Sequence, residues 1–165
     1  MKRPIRIAMV TLVVLAVAPF PLLAHAPEKQ AAGQTALPPS ARGAAATVDA
    51  FHAALRHGDT NAAALLLADD GLVFEEGGVE RTKVEYAAHH LPADAAFAQV
   101  VGSTVTRRAG GSDGALAWIA SEGRMSGTYK GKAVNRVTTE TILLRRIGQT
   151  WKVVHIHWSS AAARD

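Results

Sequence analysis

From Ala98 onward the chain is almost continuously β-forming. Four runs, Ala98–Arg108, Leu116–Tyr129, Ala133–Arg146 and Trp151–Ser160, are rich in Val, Ile, Thr and Trp, and the clusters AGGSDG, KGK and IGQT separate them. Long strands joined by such short turns return antiparallel on one another, as a meander. Each run exceeds the usual strand of about 5–6 residues, which predicts bends or bulges and a strongly curved sheet.

The half ahead of these strands reads differently. Val48, Phe51 and Leu55 fall at i, i+3 and i+7, the spacing of an amphipathic helix, and Gly58 stands where it would stop. Asp59 or Thr60 can cap a second helix over Asn61–Leu67. Leu72–Glu76, Gly77-Gly78 and Val79–Arg81 have the form of a short hairpin. Thr82 and Glu85 are spaced as a capping box for a third helix, whose apolar face is Val84, Ala87, Ala88 and Leu91 and which Pro92 should end or kink. Helices first and sheet second is the α+β pattern, with three helices on one face of an antiparallel sheet.

The first 24 residues have the form of a secretory signal. Lys2, Arg3 and Arg6 precede an apolar run from Ile7 to Ala18, and Pro19, Pro21 and small residues follow. That run is shorter than the roughly 20 residues of a membrane span. Cleavage is expected after Ala24 or Ala26, which predicts a periplasmic or secreted protein with no membrane association once the signal is removed. Residues 25–43, rich in Pro, Ala, Gln and Gly, read as a flexible linker, 44–160 as the domain and 161–165 as a tail. The formal charge of +4 falls to 4 − 3 = +1 without residues 1–24, which leaves no electrostatic footprint for nucleic acid. The chain has no cysteine, so disulfides, thiolate metal sites and cysteine nucleophiles are excluded.

The element order and the terminal strand WKVVHIHWSS together resemble the nuclear transport factor 2-like superfamily, in particular its SnoaL-like branch, with supporting segments AFHAALRHGD, LLADDGLVFEE and Arg81–Leu91. The association domain of calcium/calmodulin-dependent kinase II ends in a similar strand. The resemblance implies a cone-shaped half barrel, in which the sheet curls around the third helix and leaves a pocket, and it implies a homodimer formed through the sheet. It does not imply a reaction, because the scaffold hosts isomerases, cyclases, dehydratases and binding modules without shared catalytic residues. The Asp base with a paired tyrosine and protonated acid used by the ketosteroid isomerases of this superfamily finds no match in the sequence.

Within that frame His155 and His157, two apart on a strand, face the same way. They read either as a hydrogen-bonded polar pair or as two metal ligands, with Glu122, His89 or His90 as a third. The expectation is the polar pair, with no metal and no cofactor, since no phosphate loop or nucleotide fingerprint is present. Glu122, on the strand face of Trp118, reads either as an acid or base raised by desolvation or as the ion-pair partner of Arg124. Glu140 poses the same question. Tyr86, His89 and His90 could donate hydrogen bonds to a ligand over the pocket mouth. The expected function is binding of a small, partly apolar molecule. An acid/base isomerase, lyase or hydrolase using Glu122 or Glu140 with His155 or His157, and a dimerising interaction module, are the alternatives.

Overall fold

The computed structural model describes residues 37–164. The expected signal segment and the linker up to residue 36 lie outside the described residues. A 3₁₀ turn at Pro39–Ala41 leads into α1 (Arg42–His57), α2 (Thr60–Leu66), β1 (Leu67–Glu75), β2 (Gly78–Glu80), α3 (Lys83–Ala88) and α4 (Leu91–Ala98). Four long strands follow: β3 (Val101–Asp113), β4 (Leu116–Tyr129), β5 (Lys132–Ile147) and β6 (Thr150–Ala162).

Local chemistry accounts for the helix boundaries. Gly58 ends α1 at φ 73°, a left-handed position that a Cβ would disfavour. The Asp59 carboxylate accepts the Ala62 N–H at 2.8 Å and caps α2. Thr82 Oγ1 accepts the Glu85 N–H at 3.1 Å, and Glu85 Oε2 reaches back to the Arg81 N–H at 2.6 Å, a capping box closed one residue early. Pro92 begins α4 rather than merely ending α3, because a proline in a first turn gives up no helical hydrogen bond. Among the described residues the α-helices therefore number four where three were expected.

The strands form one sheet in the order β2-β1-β6-β5-β4-β3. Two features correct the expected fold. The pairing of β1 with β6 is parallel, so the sheet is mixed rather than antiparallel throughout. The sheet is also open, with β2 and β3 as separate edges, and it is neither closed nor strongly curled into a cone or half barrel. Bulges expected from the strand lengths are present, in β3 between Val105 and Arg107 and in β6 opposite Leu143 and Leu144. All of β4 pairs with β5 in unbroken register from Leu116↔Arg145 to Tyr129↔Lys132.

One row of the sheet, Val73, Ile156, Ile142 and Ile119, forms the core floor. All four belong to one buried cluster with Val48, Phe51 and Leu55 of α1, Ala63 of α2, Tyr86 of α3 and Leu91 of α4. Ala41 is fully buried and Leu37 packs on the core, so ordered packing begins inside the stretch expected as linker. Leu116, Trp118 and Leu143 are exposed on the opposite, outer face.

The register of β6 decides which residues face the helices. Leu144 pairs with Val153, but Leu143 pairs with His155, so Val154 is an extra residue in β6, a bulge. Without it, alternation from Val153 would carry His155 and His157 inward. With it, Val153, Ile156 and Trp158 turn to the helices and the two histidines turn outward. Ile156→Ala should therefore cost about 2–5 kcal/mol. His157→Ala should stay within about 0.5 kcal/mol. Urea denaturation of both variants checks this, and the opposite ranking would contradict the assigned faces.

Candidate functional site

Next to the apolar floor runs a second inward row: Glu75, Trp158, Glu140, Ser121 and Arg108, each paired with its neighbour across the sheet. It floors a cavity of about 810 Å³ between the sheet and helices α1 and α4. His52 and Asp49 of α1, Asp94 and Phe97 of α4, and Val105 and Met125 of the sheet also line it. Its lining mixes charged and polar side chains with the apolar Leu55, Phe97, Val105 and Met125.

Glu140 is the centre of the row. Its side chain is only 10 % exposed, and Oε2 accepts from His52 Nε2 at 2.7 Å and from Trp158 Nε1 at 2.7 Å. Burial alone would push its pKa up. The hydrogen bond and charge of His52, the Trp158 N–H and the charge of Arg108 outweigh that and hold Glu140 below the ordinary carboxylate range. Glu140 is therefore a carboxylate at neutral pH. With Nε2 donating to it, His52 in its neutral form has Nδ1 as the nitrogen able to accept a proton. Arg108 is fixed by Asp49 at 2.6 Å and by Ser121 Oγ at 3.2 Å.

At the other end of the row Glu75 has the opposite character. Burial, then the charges of Asp94 and Glu76, raise its pKa to about 7. Burial also raises Asp94, although the Tyr86 hydroxyl donates to Asp94 Oδ2 at 2.7 Å and His90 opposes the shift. The Tyr86 phenol is pushed well above its usual range by burial and by Asp94, so it remains a donor at any working pH. A buried tyrosine on a buried acid is a pairing that the sequence did not reveal.

The expected site residues divide between places. Glu140 and Tyr86 lie at the helix side. His155, His157, Trp118, Glu122 and Arg124 share the outer face by register. His155 Nδ1 donates to the Leu72 carbonyl at 3.0 Å, and the Phe74 ring packs edge-on to both histidines. Glu122 faces Arg107 on the neighbouring strand at 3.6 Å rather than Arg124 on its own. His89 is exposed at the end of α3, and His90 Nδ1 contacts the buried Glu80 carboxylate. No group of three or more possible metal ligands forms among the described residues.

His52, Trp158, Asp94, Ser121 and Arg108 escaped the sequence reading. His52 was within reach of it, since it stands four residues after Val48 and three before Leu55, at the margin of the apolar face of α1. Asp94 was hidden because the segment after Pro92 did not read as a helix.

The SnoaL-like domain family matches residues 44–163, and the chain belongs to that family. A candidate ketosteroid isomerase from Shewanella frigidimarina is 34% identical over 75% of this chain and 100% of its own, with a TM-score of 0.70. A candidate calcium/calmodulin-dependent protein kinase II association domain from Xanthomonas campestris is 22% identical over 80% of this chain and 97% of its own, with a TM-score of 0.65. A candidate dehydratase of the nuclear transport factor 2-like family from Streptomyces avermitilis is 17% identical over 75% of this chain and 98% of its own, with a TM-score of 0.65. Among curated proteins none matches.

The raised Glu75 has a measurable consequence. As pH climbs from 4.5 to about 7 the unfolded chain loses this proton before the folded one does, so Glu75 withdraws stability across that window and above it. Glu75→Gln should melt at a higher temperature than the parent at about pH 8, and the gap should close below the unfolded value of 4.5. A melting difference independent of pH would show that Glu75 is not raised.

Proposed function

We propose that the protein binds a small, partly apolar molecule in the cavity on the helix side of the sheet, with the His52–Glu140 pair as its polar anchor. The observation that carries this is the buried Glu140 carboxylate, held by two N–H donors at the floor of a cavity that also has apolar surface from Leu55, Phe97, Val105 and Met125. Thr138, one of the residues lining the cavity, offers a direct test. Thr138→Trp should remove binding of the neutral dye Nile red while leaving the melting temperature near that of the parent. Unchanged dye binding would contradict the assignment.

A second reading, acid/base catalysis, is favoured by Glu75, whose pKa of about 7 suits proton transfer near neutrality. The 34% identical candidate ketosteroid isomerase supports proton transfer next to a carbonyl as the reaction class. Glu75 would then move the proton at the cavity floor, next to Asp94, which accepts a hydrogen bond from the Tyr86 hydroxyl. Exchange of solvent deuterium into the carbon beside the carbonyl of a simple ketone, followed by NMR, would report it. Glu75→Gln should slow that exchange about 10²–10⁴-fold. A rate equal to the parent's would eliminate the acid/base reading.

Two further parts of the reading concern where and how the protein exists. The basic start and apolar run of residues 1–24 support export to the periplasm or beyond. Leu116, Trp118 and Leu143, exposed together on the outer face, support a homodimer formed through the sheet.

A further inference from the structure

The cavity is electrostatically two-ended. Its floor carries Glu140, with Glu75 and Asp94 to one side, whereas Arg136 lines it four residues earlier on β5. Four residues of extended strand span about 13 Å. Both side chains point inward, since residues an even number apart share a face and β5 has no register shift against β4 between them.

Arg136 differs from its neighbours in what it touches. Arg107, Arg108 and Arg145 each face a carboxylate. Arg136 is half-buried and bonds only Ser160, through Nε to Oγ at 2.8 Å and Nη2 to the carbonyl at 3.2 Å. No carboxylate pairs with it among the described residues. Ser160 thus fixes the guanidinium plane on one edge, and the donors of Nη1 are left for another acceptor. A partly desolvated guanidinium held in this way is suited to a carboxylate, which it meets with parallel N–H donors. Lys130 and Lys132, at the same end of the cavity, add positive potential. Between Arg136 and the floor, Phe97, Val105 and Met125 supply apolar surface, with Thr138 and Ser160 as the polar residues of that stretch.

Building on the cavity reading above, we propose that Arg136 is an anion-binding subsite, and that the ligand is an elongated carboxylate. Its acid group meets Arg136, its apolar middle lies along Phe97, Val105 and Met125, and its far end reaches His52 and Glu140. The matching length is that of a medium-chain acid rather than of a small metabolite such as acetate.

Competition for bound Nile red tests this with decanoate and with decanol, which share a chain and differ in charge. Decanoate should displace the dye from the parent protein at about tenfold lower concentration than decanol, a difference of about 1.4 kcal/mol. Arg136→Gln should erase that preference without weakening decanol, and Arg136→Lys should restore part of it. Melting curves of both variants establish that they fold. Equal displacement by the two compounds would overturn the anion subsite and leave the cavity reading standing. If neither compound displaces the dye, or the dye does not bind, both fail together. A preference for decanoate that survives Arg136→Gln would place the anion elsewhere and overturn the role of Arg136.

Discussion

One extra residue in β6 determines which chemistry this fold presents to its interior. The bulge at Val154 lets Trp151 and Val153 on one side, and Ile156 and Trp158 on the other, all turn toward the helices. Ile156 then completes the apolar row with Val73, Ile142 and Ile119, and Trp158 joins the polar row beside Glu140. A single-residue slip in a strand exchanges every side chain between faces. Removing the bulge would bury the two histidines and expose two of the largest apolar side chains of the strand. Core and site therefore share this one register.

The polar row follows from the same placement. A carboxylate buried to the extent of Glu140 is costly unless it is hydrogen-bonded. Here β6 supplies one donor through Trp158 and α1 supplies the other through His52. The Glu140 site thus ties the first helix to the last strand by polar contacts as well as by the packing of Phe51 on Trp158. Glu75, at the margin of the row, has no comparable donor in its surroundings and carries the burden of burial and of neighbouring acids instead. Two glutamates of one row are driven in opposite directions, one ionised and one poised near neutrality.

Much of the architecture could be read from the residues. The 3.6-residue spacing of Val48, Phe51 and Leu55, the caps at Asp59 and Thr82, and the turn clusters between the last four strands gave the order of most elements. The parallel match of β1 with β6 was less accessible, because it joins strands distant in sequence. The sequence singled out Glu140 and Tyr86, which lie on the helix side of the sheet, and did not single out His52. The faces of β6 were the central difficulty. Trp151 and Val153 favour one alternation and Ile156 and Trp158 the other, and only an inserted residue reconciles them. That conflict was itself a signal for a bulge. Likewise, alternation along a strand places one of the adjacent Glu75 and Glu76 inward, and the register of β1 on β6 selects Glu75.

The central claim is that ligand chemistry resides at His52 and Glu140 on the helix side, not at the histidine pair of the outer face. Imidazole resonances followed by NMR during titration with 2-decanone, a neutral molecule of suitable length, test it most directly. The resonances of His52 should move with saturation while those of His155 and His157 stay in place. Movement of His155 and His157 with His52 unaffected would contradict the account.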